Sequence, residues 1–302
     1  MRRSLALLPL LCLPTLALAQ SGTALYVCAH PDDCLLFMNP NLYNDITADA
    51  QKTVVVYLTS GDAGLPFNEA DPASYPLVRE RASIDATEWM ADVGKDHHAE
   101  QETQSATIHD HLVTRVSYAN TVSYFLRLPD GNFYGNGFGR YGNESLRKLK
   151  SGEITSITPI DNQPAYTGWP DLVAVLSGIL AREAGDDQHV TLHLQDPDTD
   201  NNTNDHSDHT TGASAMMEAL EQSAQQASRC YRIYNHIDYA IAEKPINLEG
   251  AGLQNKAGGF AVLTATQRHF LDSHNWDEGH TPYLTRNYYT TITLPNGCDT
   301  AQ

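Results

Sequence analysis

Basic residues are scarce in this sequence. Lysine and arginine together number 19, against 37 aspartate and glutamate residues, which gives a formal net charge of −18 at pH 7. A surface with this excess of negative charge repels nucleic acids and anionic lipids, so we expect neither as a partner. The excess by itself does not identify a substrate.

Long apolar runs are missing after the first twenty residues, so no later segment is expected to span a bilayer. The first segment has a basic end at Arg2 and Arg3, an apolar run, and the small-x-small sequence Ala-Leu-Ala at residues 17–19. This order is typical of a cleaved signal peptide. We predict a signal peptide over residues 1–19 and an exported protein, secreted or periplasmic, with no membrane insertion after cleavage. An uncleaved N-terminal anchor is the alternative.

Cysteines are few: five in the whole chain, of which Cys12 lies in the predicted signal peptide. An exported protein can form disulfides, and the four remaining cysteines allow more than one pairing. We expect Cys230 to pair with Cys298, because both lie in the C-terminal third. Two unpaired thiols are the alternative.

Apolar runs alternate with segments of helical periodicity. Strands are predicted near residues 23–29, 53–58, 113–118, 122–128 and 189–194. Helices are predicted over 77–94, 169–183, 209–227 and 264–273. This alternation predicts a single α/β domain over residues 20–302, with a Rossmann-like, doubly wound, mostly parallel sheet and helices on both faces.

Two polar motifs follow predicted strands of this sheet. The first is His30-Pro-Asp32-Asp33, and the second is His206-Ser-Asp208-His209. Loops that follow parallel strands meet at the carboxyl edge of a doubly wound sheet. An imidazole and a carboxylate from one loop, with an imidazole from the other, make the three-ligand set of catalytic zinc. Taken separately, each motif could be only a turn that caps a helix.

The paired residues within each motif are expected to divide their roles. Adjacent side chains in an extended segment point to opposite sides, so one aspartate is assigned to the metal and the other to general-base work. Histidines three apart in a first helical turn share a face. One can bind the metal, while the other, as an imidazolium, can stabilise an oxyanion or protonate a leaving amine.

The sequences "AHPDD" and "HSDH", in this order, resemble the motifs of the PIG-L / LmbE-like zinc-dependent N-acetylglucosaminyl deacetylases. "LTSGDAG", "LVRERA" and "RLPDG" add to the resemblance, which spans residues 26–220. It implies a Zn²⁺ ion or another divalent transition metal. The implied ligands are His30, Asp33 and His209. The implied catalytic residues are Asp32, as the general base, and His206, which stabilises the tetrahedral intermediate. Asp208 would orient its neighbours, and Arg79, with Arg81 as the competing choice, would contact the substrate.

The sequence departs from the family at Cys34, where a glutamate is usual. Cys34 could simply pack, could alter metal preference through the residues around the ligands, or could itself bind the metal as a thiolate. Cys34 is therefore assigned to the surroundings of the ligands, with its effect left open.

The resemblance implies a hydrolase that removes an acetyl or other acyl group from an N-acylated amino sugar or its conjugate, so the expected partner is a small molecule or a glycan. Two alternatives are an amidase acting on a non-sugar amide and a non-catalytic carbohydrate- or calcium-binding protein. The second draws on the acidic loop at residues 196–202, where Asp196, Asp198, Asp200 and Asn202 alternate like early calcium ligands. Asn201 and Ser207 replace the glycine and glutamate of an EF-hand, so only a looser calcium site stays open.

Overall fold

The computed structural model describes residues 22–48, 51–223, 229–272 and 275–294. The predicted signal peptide and Cys298 lie outside these ranges. The strands are β1 (Gly22–Cys28), β2 (Gln51–Thr59), β3 (Glu102–Ile108), β4 (His111–Tyr118), β5 (Thr121–Leu128), β6 (Ser156–Ile157), β7 (Tyr166–Thr167), β8 (His189–Gln195), β9 (Cys230–His236) and β10 (Tyr289–Leu294). The helices are α1 (Asn41–Thr47), α2 (Tyr75–Asp92), α3 (Leu146–Ser151), α4 (Trp169–Ala184), α5 (Ser207–Gln222), α6 (Gly250–Phe270) and α7 (Thr281–Leu284). Shorter helical turns occupy Cys34–Met38, Gly139–Tyr141 and Tyr239–Glu243.

The main sheet has eight strands in the order β10-β9-β8-β1-β2-β5-β4-β3. Its centre is parallel, from β9 through β8, β1 and β2 to β5. Antiparallel pairing is confined to the edges, where β10, β4 and β3 lie. The chain leaves β1 toward β2 on one side and later returns to β8 on the other. The topological switch point, where ligands of such sheets bind, therefore lies between β1 and β8.

Helices cover both faces of this sheet. Successive residues of β1 alternate between two cores: Leu25 and Val27 pack with α3, α4 and α5, whereas Tyr26 and Cys28 pack with α1, α2 and α6. This alternation follows from the pleat of a strand that is buried on both faces. The predicted doubly wound α/β fold is confirmed. Among the described residues, no helix has the length and apolar character needed to cross a bilayer.

The start of the last long helix was predicted wrongly. α6 begins at Gly250 instead of Thr264. Glycine has a low helix propensity, so the glycine-rich first half of α6 concealed the element. The structure gives a reason for one of these glycines: a Cβ at Gly258 would lie 2.8 Å from the indole ring of Trp89 on α2. Close packing of α6 against α2 outweighs the low helix propensity of its glycines.

One disulfide joins two cysteines that the sequence did not mark as a pair. Cys28 and Cys34 form a disulfide with a Cα–Cα distance of 6.0 Å, a spacing typical of disulfides. Cys230 is also disulfide-bonded. Its expected partner, Cys298, lies outside the described residues, so that pairing stays a prediction.

Candidate metal and catalytic site

The first motif forms a tight turn directly after β1. The backbone N–H of His30 donates to Oδ2 of Asp33 at 2.7 Å, and the N–H of Leu36 donates to the carbonyl of Asp32 at 3.0 Å. The turn brings the side chains of His30 and Asp33 to one side, where they lie 3.2 Å apart. The carboxylate of Asp32 contacts different partners, so the two aspartates do diverge.

The second motif begins helix α5. His206 is the N-cap, and its Nδ1 accepts the backbone N–H of Asp208 at 3.2 Å. His209 lies in the first turn and is completely buried. The ring centroids of His206 and His209 are 5.4 Å apart. This helix starts at the carboxyl end of β8, next to β1, and the two motifs therefore meet as the topology requires.

The three predicted ligands converge at one point. Nδ1 of His30 and Nε2 of His209 are 3.3 Å apart, and Asp33 oxygens lie 3.2 Å from the first nitrogen and 3.3 Å from the second. Ligand atoms that surround a tetrahedral zinc ion at about 2.0–2.1 Å are separated by roughly 3.3 Å. The donor atoms of this cluster thus have the spacing that zinc requires.

A hydrogen bond of His209 and an ion-pair contact of His30 turn the other ring nitrogen of each imidazole toward this point. Nδ1 of His209 lies 2.8 Å from Asp205 and 3.4 Å from Asp238, so it carries the proton and leaves Nε2 as an acceptor. Nε2 of His30 faces Asp208 at 3.5 Å, which leaves Nδ1 toward the cluster. Two lone pairs and a carboxylate at these distances repel one another unless a proton or a metal cation lies among them. The donor set therefore fits a zinc ion.

The carboxylates around the cluster also favour a cation there. Burial lowers the pKa of His30, but the carboxylates of Asp33 and Asp208 outweigh it and raise that pKa to about 10. Burial also opposes the charged form of His209, and Asp205 and Asp33 again raise its pKa well above the ordinary value. Burial raises the pKa of Asp33, but His209 and His30 outweigh it and hold that pKa well below its usual range. The carboxylates around the cluster therefore stabilise a positive charge at this position.

A second histidine arrangement is also close enough to hold an ion. His30, His206 and His209 each offer a ring nitrogen within 4.8 Å of the others. Burial and the neighbouring His30 lower the pKa of His206 to about 4, so the ring is neutral. Its Nδ1 is occupied as an acceptor, which leaves Nε2–H to donate toward a substrate oxygen. The imidazolium expected from the sequence is therefore not needed for oxyanion stabilisation.

Asp32 is held from both sides. One oxygen is ion-paired with Nη2 of Arg79, and the other accepts the amide of Asn275 at 2.8 Å. Nη1 of Arg79 donates to the carbonyl of Gly61 at 2.5 Å. Gly61 has a φ of +52°, and a Cβ there would overlap the guanidinium, so this turn requires glycine. Arg79 lines the cavity but is engaged mainly with Asp32, whereas Arg81 pairs with Asp85 and its side chain is 61% exposed.

Two supporting residues were also placed in the site by the sequence. Asp208 is completely buried, accepts the N–H of Gly131 at 2.7 Å and faces His30, as expected for a residue that orients a ligand. Cys34 is buried in its disulfide with Cys28. A sulfur in a disulfide is not a thiolate, so the interpretation of Cys34 as a metal ligand is wrong for this structure.

The open side of the site is a cavity of about 360 Å³. Several of its residues were missed by sequence reasoning: Tyr75, Asp130, Tyr239, Asn275, His280 and Tyr283. Asp130 lies in "RLPDG" and could have been found there; its oxygen is 3.7 Å from Nε2 of His206. The residues after position 220 lie in short helical turns or in the loop before α7, and they carry no motif that would mark them.

The acidic loop before the second motif has a structural explanation. Oδ1 of Asp196 accepts the N–H of Asp198 at 3.0 Å, and Oδ1 of Asp198 accepts the N–H of Asp200 at 2.9 Å. Across the described ranges, these carboxylates are not among the groups spaced to hold a metal ion. Asn202 instead donates to Asp205 at 2.7 Å and to Asp238 at 3.1 Å. The loop thus holds the two carboxyl groups, of Asp205 and Asp238, that face Nδ1 of His209.

An Asp238→Asn variant is expected to bind zinc about 10- to 100-fold more weakly, the usual loss when a partner of a metal-bound histidine is removed. The substitution keeps the volume but replaces the carboxyl group that faces Nδ1 of His209 by an amide. Chelator competition measures the affinity. Asp171→Asn is a matched control, because Asp171 pairs with His111 at 3.1 Å outside the cavity. Equal zinc affinity in the wild type and Asp238→Asn would contradict this support role.

The fold is that of an α/β enzyme, and the cluster is a buried group of histidine and aspartate side chains capable of holding a metal ion. The sequence model of the PIG-L family, described as GlcNAc-PI de-N-acetylase, matches residues 25–220, more than half of the chain. The chain therefore belongs to the PIG-L family of metal-dependent deacetylases, and the resemblance inferred from the motifs is confirmed. No curated protein matches the chain.

Solved structures with a similar fold include N,N'-diacetylchitobiose deacetylase from Pyrococcus horikoshii, at 14% identity and a TM-score of 0.46, covering 87% of this chain and 75% of that one. The zinc-inhibited form of teicoplanin deacetylase is similar at 13% identity and a TM-score of 0.40, covering 83% and 86%. The 4-carboxy-2-hydroxymuconate hydratase from Pseudomonas putida is similar at 14% identity and a TM-score of 0.40, covering 82% and 81%. The family assignment rests on the sequence match and not on these likenesses.

Proposed function

We propose that this protein is an exported zinc-dependent hydrolase that removes an acetyl, or another acyl, group from an N-acylated amino sugar or its conjugate. The observation that carries the proposal is the convergence of His30, Asp33 and His209, with donor atoms 3.2–3.3 Å apart. Asp32 and His206 line the same cavity as this cluster. A general base and a hydrogen-bond donor thus flank one candidate metal position.

The zinc ion would be held by His30, Asp33 and His209. When bound, zinc lowers the pKa of a water molecule at the site and polarises a carbonyl group. Asp32 takes a proton from the attacking water, and the oxygen of that water adds to the amide carbon. Nε2–H of His206 donates to the developing oxyanion. The C–N bond then breaks, and the proton held by Asp32 passes to the departing amine.

The cavity supports a compact substrate group. Its volume of about 360 Å³ is at the lower end of the range for small-molecule sites, so one sugar ring fits inside while the rest of a conjugate stays outside. Tyr75, Tyr239 and Tyr283 give its walls flat apolar surfaces beside polar groups. The family description, GlcNAc-PI de-N-acetylase, supports an N-acetylglucosamine unit as the group that enters.

Export is part of the proposal. The signal-peptide pattern supports it, and so does the Cys28–Cys34 disulfide, because disulfides persist mainly in oxidising compartments. N-terminal sequencing of the protein recovered outside the cytoplasm tests this point. A mature chain that begins at Gln20 is expected, and a protein retained inside with its full N-terminus would contradict it.

Purified protein is expected to contain about one zinc ion per chain and to release acetate from N-acetylglucosaminides. Chelation should abolish acetate release, and added zinc should restore it. At free zinc about 1,000-fold above the dissociation constant, binding should stabilise the fold by about 4 kcal/mol. Metal analysis, an acetate assay and thermal unfolding measure these effects.

The control for this experiment is the same chelator saturated with zinc beforehand. Full activity of the metal-free protein would contradict the proposal. Turnover of simple amides with no preference for sugars would instead support an amidase acting on non-sugar amides.

A further inference from the structure

The disulfide between Cys28 and Cys34 closes a small ring around the first motif. The two cysteines are six residues apart in sequence, and the segment between them carries His30, Asp32 and Asp33. Both cysteines are completely buried. Two predicted zinc ligands and the predicted general base thus belong to one covalently closed loop.

The N-terminal side of this ring is fixed to the sheet. Cys28 is the last residue of β1, in register with Tyr57 of β2. The N–H of Ala29 donates to Gln195 at 3.0 Å, and its carbonyl accepts both the N–H and the hydroxyl of Thr59 at 2.9 Å each. The backbone up to Ala29 therefore has little freedom.

The C-terminal side of the ring has weaker backbone support. The turn Cys34–Met38 begins without a side-chain cap, and its first backbone bonds, from Leu35 and Leu36, go to the carbonyl of Asp32 inside the ring. These bonds move with the loop and do not tie it to the sheet. Apolar packing and a hydrogen bond between His236 of β9 and the backbone of Phe37 hold the turn, and Gln195 of β8 donates to the carboxylate of Asp33 at 3.3 Å. The disulfide adds the covalent link to β1. That link ends at the residue next to Asp33.

We propose that Cys28 and Cys34 are positioning residues whose disulfide holds Asp33 against His30 in the spacing that zinc requires. This inference rests on the proposed zinc site. Metal–ligand distances tolerate changes of only about 0.2 Å, so a ligand whose backbone gains freedom binds the ion less well. The residues around a metal's ligands set its affinity even when they do not touch it.

A Cys28→Ser/Cys34→Ser double variant tests the inference. Its zinc affinity, measured by chelator competition, is expected to fall about 10-fold or more, and kcat at saturating zinc should change much less. Cys230→Ser is the matched control, because it also removes a disulfide-bonded cysteine, but at the start of β9, which pairs with the start of β8. It should lower the melting temperature without changing zinc affinity.

Reduction of the folded wild type is the second measurement and decides the question if the double variant does not fold. A phosphine reductant delivers two electrons, which with two protons convert the disulfide into two thiols, and alkylation with mass spectrometry counts them. Reduction should lower the zinc affinity of the wild type and, to the same extent, that of Cys230→Ser, in which the disulfide of Cys230 is already absent. The Cys28→Ser/Cys34→Ser variant has no thiol at these positions, so a loss of zinc affinity in it cannot come from new thiolate ligation.

The outcomes separate this inference from the proposed function. Wild-type zinc affinity in the double variant, or in the reduced wild type, would overturn the role of the disulfide and leave the zinc site intact. A wild-type protein that binds no zinc would overturn both. An equal loss of zinc affinity in Cys230→Ser would show a general effect of stability and would also overturn the positioning role.

Discussion

Replacing Asp32 by alanine is expected to lower kcat by about 10²- to 10⁴-fold, the usual contribution of a general base, while zinc stays bound. Asp32 oxygens contact Arg79 and Asn275, and the donor atoms of His30, Asp33 and His209 meet without them. The variant should therefore separate chemistry from metal binding. Steady-state kinetics and metal analysis of the same preparation measure both.

Asp85→Ala is the matched control for this variant. Asp85 also pairs with an arginine of α2, Arg81, but that pair does not line the cavity. Its kcat should equal that of the wild type. Loss of zinc from Asp32→Ala would show that the two aspartates have exchanged the roles assigned to them.

Replacing His209 by alanine is expected to remove zinc and, with it, activity. His209 supplies one of three donors and is completely buried, so no water-exposed group can take its place. The loss of affinity should exceed the roughly 10- to 100-fold typical of removing only a supporting partner. Metal analysis after gel filtration and an acetate assay at added zinc measure the result.

His206→Ala provides the contrast, because His206 lies in the same motif but directs Nε2–H toward the cavity. It should keep zinc and lose about 10²- to 10³-fold in kcat, as when one oxyanion donor is removed. Loss of zinc from His206→Ala as well as from His209→Ala would favour the alternative set of three imidazoles, His30, His206 and His209.

The centre of the fold and the meeting of the two motifs could be predicted from the sequence. Strands such as 23–29 are apolar on both faces because they are buried on both faces, so their composition alone marks them as parallel. The two motifs follow adjacent strands, and the geometry of a doubly wound sheet then brings His30 and His209 together. These inferences use only local composition and a general rule of topology.

The remaining features depend on contacts between distant residues. Gly258 lets α6 pack closely against Trp89 of α2, a contact that no local propensity records. Asp238 lies 3.4 Å from His209 through the arrival of β9 beside β8, and nothing in its neighbourhood in sequence marks it. The disulfide of Cys28 could not be chosen either, since spacing does not decide among pairings.

The far wall of the cavity comes from Tyr239, Asn275, His280 and Tyr283, all beyond the end of the family match at residue 220. The candidate catalytic residues and the outer wall of the cavity therefore come from separate stretches of the chain. A graft that replaced residues 275–283 would change which molecule fits and leave the donor cluster untouched. Asn275 sets the limit of such redesign: its amide is bonded to Asp32, so a transplanted loop must bring its own donor to that place.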